Sequence, residues 1–462
     1  MPYIIAFGKF FVLLHLFFNP NKFQMRIRNI IMSAFLLLAT QQTVTAQDIR
    51  SLSWYDICKG NADIDWYGSP DACNVADVVL EVQKTSGGWE KNIQIHKLTE
   101  EEKQALIARR DKQSCLDNAT TTQEMNFLAM VYNRTRQQKY LDGFKRGLNM
   151  LFEAERKNGG WSQYWPLTGN GSYQDDITFN DNLMVHVINM LRDIYVNSGE
   201  YYELLDMNTR EKCHKAYERG IQTIIRCQID DNGVKAGWCA QHDPETFLPT
   251  GGRTNEPPSV SGLETSRIIG VLMHYDAPSE ELKETIRSAV KWLEAHKMKD
   301  KALETFTNAN GEKDIRIIDK PGSNLWGRCI QLGGKTGDAT YKAYFERLRQ
   351  NGKNRDYEYE GKTYSYNDYD NAVGSYDAKK AYQPIFAVNE KKDMPIMRCR
   401  FIYNYDTKAP AKDKNGVPVP VSIPTAKQRT GYKYLGDWCQ YVIDVQYPRW
   451  EKRIAEPAKK KK

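Results

Sequence analysis

The chain has 462 residues, enough to bury a large core as two or three domains or as one large closed helical architecture. Its formal charge of +7 is modest and the closing "AKKKK" supplies four of the lysines, so the body is near neutral and carries no nucleic-acid footprint. Aromatic residues make up 11%, with 27 tyrosines and 10 tryptophans, more than a core alone demands and in keeping with a sugar-binding cleft.

The first 46 residues read as an export signal. From Met25, the better start, the chain runs "MRIRNIIMSAFLLLATQQTVTAQD": two arginines, an apolar run from Ile30 to Ala39, then Val44-Thr45-Ala46 before Gln47. Cleavage is expected after Ala46. The earlier run "MPYIIAFGKFFVLLHLFF" is also apolar, but both are shorter than the ~20 residues a spanning helix needs. The expectation is a secreted, periplasmic or outer-surface protein with no membrane span in the mature chain. Nine cysteines show no CxxC pair and no zinc spacing. An exported chain is open to disulfides, and an odd count leaves at least one thiol unpaired within it.

Residues 47–74 form an entry segment, and 75–450 read as one helical domain whose part at 335–425 is divergent and loop-rich; 451–462 are a basic tail. Amphipathic runs alternate with glycine-rich or aromatic loops up to Met298, among them "TTTQEMNFLAMVYNRT", "YLDGFKRGLNMLFEAERK", "DNLMVHVINMLRDIYVN", "TREKCHKAYERGIQTIIRCQI", "SGLETSRIIGVLMHY" and "SEELKETIRSAVKWLEAHK". Several begin after Ser, Thr or Asn, as capped helices do. A Gly-Trp corner follows such a run three times, at Trp89, Trp161 and Trp238, with near-equal spacing. Leu148, Leu151 and Phe152 before the second, and Ile221, Ile224 and Ile225 before the third, make the i, i+3, i+4 stripe of a buried helix face. Paired helices joined by loops, without strand patterning, predict a mainly α fold with one end where these corners gather. Beyond Lys299 the texture changes, and "NGEKDIRIIDKPGS" alternates like a short strand.

Three loops hold more polar groups than packing needs. In "CLDNATTTQEM" only one residue can cap the following helix, which leaves Asp117 and Asn118 as hard oxygen donors suited to Ca²⁺. In "YQDDITFNDNLMVHV" Asp181 stands in the same position, while His186 lies on an apolar face and reads as a core histidine. The third stretch, "GWCAQHDPETFLPTGGRTNEPPSVSGLE", carries Gln241, His242 and Asp243 on one loop and Arg253 with Glu256 on the next, where an ion pair is the plain alternative to catalysis. Zinc-protease, Walker, Rossmann and GxSxG motifs are absent from the sequence.

In order along residues 75 to 330, "SGGWEKN", "LDNATTTQEMNFLA", "NGGWSQYWP", "ITFNDNLMVHVINML", "GWCAQHDPET", "EPPSVSGLETSRIIGVLM" and "LWGRC" resemble the polysaccharide lyase family 10 pectate lyases, as do "RTGYKYLGDW" and "YPRW" near the end. The resemblance implies an incomplete (α/α) toroid, Ca²⁺ dependence and β-elimination of α-1,4-polygalacturonate to unsaturated oligogalacturonates. It implies Arg253 as the base, Asp117 as a calcium or substrate-carboxylate ligand and Arg328 as a clamp on a uronate. Gln241 and His242 join them as substrate-binding candidates, and Asn118 and Asp181 as further metal candidates. In one respect the sequence departs from the family pattern. "LWGRC" should be followed by an Arg-Asp-Gly element, for which Arg355-Asp356 or the degenerate "QPIFAVNEKKD" would have to stand in. Two other readings compete: an inverting glycoside hydrolase using Glu256 and Asp243 as acid and base, and a catalytically impaired pectin-binding protein.

Overall fold

The computed structural model describes residues 49–350 apart from 202, 254–255, 331 and 333, short strands between 356 and 410, and residues 430–456 apart from 432. The stretch 1–46 expected to be an export signal, Arg355, Cys399 and the last residues of the basic tail lie outside the described residues.

Two short N-terminal helices, α1 (Trp54–Cys58) and α2 (Pro70–Glu81), and α3 (Glu100–Ile107) lead into a repeated hairpin: α4 (Thr122–Thr135) with α5 (Gln138–Ala154), α6 (Leu183–Tyr195) with α7 (Met207–Arg226), and α8 (Gly262–Leu272) with α9 (Glu280–Ala295). In each hairpin the first helix is buried on most of its surface. Thr122, Glu124, Met125 and Phe127 to Val131 of α4 are all buried, as are Gly262 and Glu264 to Ser266 of α8. The second helix of each pair is amphipathic and covers the first from outside. The inner helices α4, α6 and α8 pack side by side, so their three N-termini come to the same end of an incomplete α/α toroid.

The Gly-Trp corners are the bolts of this repeat. The indole N–H of Trp89 donates to Val79 O of α2 at 2.8 Å, that of Trp161 to Leu151 O of α5 at 2.7 Å, and that of Trp238 to Ile224 O of α7 at 2.7 Å. Every one of these rings is buried, so the bond satisfies a polar group that burial would otherwise leave at a cost of about 1–3 kcal/mol. The backbone N–H groups of Trp89 and Trp238 donate in turn to Thr121 and Thr265, beside or within the inner helices. Glycine at 237 is what permits this, since a Cβ there would lie 2.2 Å from Thr265 Oγ1. Each corner thus ties the end of an outer helix to the start of an inner one.

A fourth corner went unseen in the sequence. Trp326 is buried and donates to Leu293 O of α9 at 2.9 Å, repeating the same bond. It was masked because a ribbon is spliced in before it. Strands β1 (Ser114–Cys115) with β2 (Tyr164–Trp165), β3 (Ile177–Thr178) with β6 (Gln241–His242) and β7 (Pro249–Thr250), and β4 (Asp230–Asp231) with β5 (Val234–Lys235) are short links between successive loops. By contrast β8 (Met298–Thr307) and β9 (Lys313–Gly327) form a long antiparallel ribbon, with the short strand Leu435–Gly436 paired to the end of β9. Within the stretch expected to be loop-rich, residues 334–350 form the helix α10 (Gly334–Gln350), and α11 (Tyr447–Ala455) closes the described chain. Among the described residues no helix is long and apolar enough to cross a membrane. Eight cysteines are described and all are free thiols, so the described part holds no disulfide.

Candidate active site

The turn Asp117–Ala119 precedes α4 with Asn118 and Ala119 at φ 53° and 63°, a left-handed path that turns the chain sharply. Thr121 caps α4 in a capping box with Glu124, whose carboxylate accepts from Thr121 N–H at 2.7 Å. Asp117 is therefore not the cap. It is buried, its Oδ2 accepts from Lys91 Nζ at 3.1 Å, and its Oδ1 is a buried acceptor without a partner. Burial opposes the charge on Lys91, but the adjoining Asp117 carboxylate outweighs it and pushes the ammonium up to about 12.

The turn Asn180–Asn182 packs against that first turn and repeats its geometry before α6, with Asp181 and Asn182 at φ 52° and 62°. Burial raises the pKa of Asp181, and the Asp117 carboxylate adds to the shift, while Arg328 and Arg253 pull the other way. These four charges share one field. Arg328, just past the end of β9, donates to Asn180 Oδ1 at 2.8 Å and lies 3.7 Å from Asp181 and 3.6 Å from Glu264, the buried acid in the first turn of α8. Burial pushes the Glu264 carboxyl up, and Arg328 opposes it.

The third turn carries Arg253. Gly252 N–H donates to Glu256 O, and the Glu256 carboxylate accepts from the N–H, Nε and Nη2 of Arg253 at 3.0, 3.0 and 2.5 Å. Gly252 makes room for this: a Cβ would lie 2.8 Å from Glu256 Oε2 and 2.9 Å from Gln241 Oε1. The Arg253 side chain is 49% exposed, whereas that of Glu256 is 6% exposed. The ion pair expected as the plain alternative is thus present.

Of the residues singled out from sequence, Asp117, Asp181, Arg253 and Arg328 meet in one electrostatic cluster, and Gln241 lies beside the Arg253 turn with a buried Oε1 that has no partner. Asn118 is exposed and donates to Asn92 Oδ1 at 2.9 Å. His242 turns the other way. Fully buried, it accepts from Cys239 N–H through Nε2 and bonds Phe247 O through Nδ1, so both ring nitrogens serve the backbone and offer nothing to a sugar. His186 is half-buried, and burial lowers its pKa to about 4.

Three further residues belong to the neighbourhood. Lys91 sits inside the "SGGWEKN" phrase, and its position just after the corner was the available signal. Tyr173 has its pKa raised by burial and then by Glu256, with Arg253 opposing, which places the phenol beside that pair. Arg347 of α10 reaches Asp176 at 2.5 Å and Asp243 at 3.4 Å, while a Cβ at Gly251 would lie 2.5 Å from the Tyr344 ring, so α10 buttresses the Arg253 turn. No sequence signal announced that helix. Among the described residues no group of three or more His, Cys, Asp or Glu side chains could hold a metal.

The helical toroid is the fold of family 10 polysaccharide lyases, and the match to a lyase family makes this chain a polysaccharide lyase. The chain belongs to the pectic acid lyase family, whose profile matches residues 83–345, more than half of its length. Among solved structures it is similar to a family 10 polysaccharide lyase from Cellvibrio cellulosa, at 21% identity and a TM-score of 0.57, covering 86% of this chain and 95% of that one. A mutant of that enzyme in complex with trigalacturonic acid matches at 20% identity and a TM-score of 0.56, with the same coverage. No curated protein matches the chain significantly.

Proposed function

We propose that this lyase cleaves α-1,4-polygalacturonate by calcium-dependent β-elimination, releasing unsaturated oligogalacturonates outside the cytoplasm. The observation that carries the reading is the meeting of Asp117, Asp181, Arg253 and Arg328 where three inner helices begin. Helix N-termini and two arginines favour a polyanion there, and the trigalacturonic acid in complex with the mutant relative is such a polyanion. The export signal expected from sequence at 1–46 would suit a polymer too large to enter a cell.

The reaction removes the proton at C5 of a uronate, breaks the C4–O bond, forms a C4=C5 double bond and leaves the departing chain with a protonated oxygen. Arg328 would hold a uronate carboxylate through its planar fork, and Arg253, half exposed, would take the C5 proton. Its pair with Glu256 stabilises the protonated guanidinium and so works against that role; substitution of Arg253 bears directly on this step. Hard carboxylate oxygens at Asp117 and Asp181, with the partnerless Oδ1 of Asp117, fit Ca²⁺, and Asn118 adds an amide beside them. Bound calcium would neutralise the C5 carboxylate and make the adjacent proton more acidic. Two protein carboxylates are few for this ion, so the uronate itself would complete the site.

The hydrolase alternative loses its pair of carboxylates. Glu256 is bonded to Arg253, and Asp243 Oδ1 accepts from Glu245 N–H and Thr246 N–H as a turn cap. The binding-only alternative is separated by product. With polygalacturonate and calcium the protein is expected to generate the ultraviolet absorbance of an unsaturated uronate, and exhaustive chelation is expected to abolish it. Undiminished activity after chelation would sink the calcium-assisted mechanism, and binding without product would favour the impaired protein.

A further inference from the structure

The strand that delivers Arg328 to the site does not end its charge there. Traced backwards, β9 carries Lys320 and Lys313 on a ribbon that borders a cavity of about 720 Å³, walled by Lys301 of β8 on one side and Lys433 on the other. Lys301 is paired with Asp319 at 2.5 Å. Lys313, Lys320 and Lys433 are exposed. Two acids share the wall, Asp437 and Asp444, and Asp444 is held by Gln440. The balance is basic, on a chain whose body is otherwise near neutral.

The same cavity holds a flat apolar surface. Trp438 lies across Gly436, where a Cβ would come within 2.4 Å of the indole, so glycine lets the ring settle on the strand. It remains half-buried while lining the cavity. Ile317, Leu325 and Leu435 form a small separate apolar cluster in the ribbon, with Met298 and Leu303 packed against it, and Leu325 and Leu435 also line the cavity. Gly436 pairs with Trp326, two residues before Arg328, and Arg328 N–H donates to Tyr434 O at 2.8 Å. This face and the site are therefore joined through backbone hydrogen bonds.

We propose that this face is an accessory binding surface for an acidic oligosaccharide: a stretch of polyuronate lying outside the cleft, its carboxylates met by Lys313, Lys320 and Lys433 and one sugar ring stacked on Trp438. It rests on the polyuronate reading above, and its role is to hold long chains. Short ones that fill only the cleft do not reach it. Exposed lysines each contribute little, but three acting on one polyanion together amount to about tenfold in affinity.

The test is electrophoresis of the full chain through gels containing polygalacturonate or fully methyl-esterified pectin, with chelator present so that nothing is turned over. Wild type is expected to be retarded by the acidic polymer alone. The combined K313A, K320A and K433A variant is expected to bind it about tenfold more weakly, and K313R, K320R and K433R together to restore retardation, while melting temperatures stay alike. Equal retardation of wild type and the alanine variant would overturn the proposal. So would equal retardation by the esterified polymer, or no retardation of wild type, as when another part of the chain covers this face. Formation of unsaturated product with calcium is read separately, so failure of the lyase reading and failure of this surface are distinguishable.

Discussion

Arg253 and Glu256 form a bidentate pair in which the acid is buried and the base half exposed. If Arg253 takes the C5 proton, Arg253→Lys and Arg253→Ala should lower kcat by about 10²-fold or more, the usual scale for a general base, and move KM little. If the pair is only structural, Arg253→Ala strands a buried carboxylate and costs stability instead, while turnover per folded molecule survives. Measuring kcat on folded protein beside a melting curve separates the two, and near-normal kcat would end the catalytic role. His242 gives a second residue-scale outcome. Burial lowers its pKa to about 4 from the ordinary 6.5, so the unfolded chain binds a proton that the folded one refuses. Its stabilising effect is complete above pH 6.5 and falls away as the pH drops towards 4, by about 3 kcal/mol in all. A proton NMR titration should find His242 neutral at pH 5; an ordinary midpoint near 6.5 would refute the buried tautomer.

At the scale of elements, two helical glycines should answer an alanine in opposite directions. Gly220 of α7 faces Ile188 and Trp161, and a Cβ there would lie 2.2 Å from Ile188 Cδ1 and 3.3 Å from the indole. Gly220→Ala should destabilise by about 1–3 kcal/mol through overpacking. Gly270 of α8 has nothing within 4 Å of the same atom, so Gly270→Ala should gain up to about 1 kcal/mol from helix propensity. Urea unfolding of both variants checks the pair, and a Gly220→Ala variant at least as stable as wild type would deny that Gly220 is a packing requirement. The corners at Trp89, Trp161 and Trp238 were legible because a glycine and a tryptophan follow an apolar stripe each time. Trp326 makes the same bond but follows a ribbon, and its glycine comes after it, so the pattern vanished from the sequence while the geometry stayed. The ribbon itself showed only as the alternation in "NGEKDIRIIDKPGS", since β8, "MKDKALETFT", is largely half-buried and lacks a clear apolar face. His242 departs from the sequence expectation for a related reason: a polar residue in a loop looks available for a ligand, but here backbone groups of Cys239 and Phe247 claim both ring nitrogens.

Across the whole molecule, every repeat contributes to the site: Asp117 before α4, Asp181 before α6, Arg253 and Glu264 around the start of α8, and Arg328 after the fourth corner. Such a site exists only when all repeats are docked, and the two carboxylates proposed above to face calcium come from different repeats. Calcium should therefore bind the protein weakly by itself, since the ion takes six to eight oxygens and the described residues supply few. A uronate oligomer should supply the missing oxygens, so calcium and oligomer should bind cooperatively. The check uses the Arg253→Ala variant, chosen to avoid turnover, with its melting temperature recorded with calcium, with trigalacturonate, and with both. A ligand that binds only the folded state stabilises by about 2.7 kcal/mol at a hundredfold excess over Kd, so the combined shift should clearly exceed the sum of the separate ones. Asp117→Ala should remove that excess in part, with high calcium restoring it. If calcium alone gave the full shift, the protein would hold a complete metal site of its own, and the substrate-completed arrangement would be refuted.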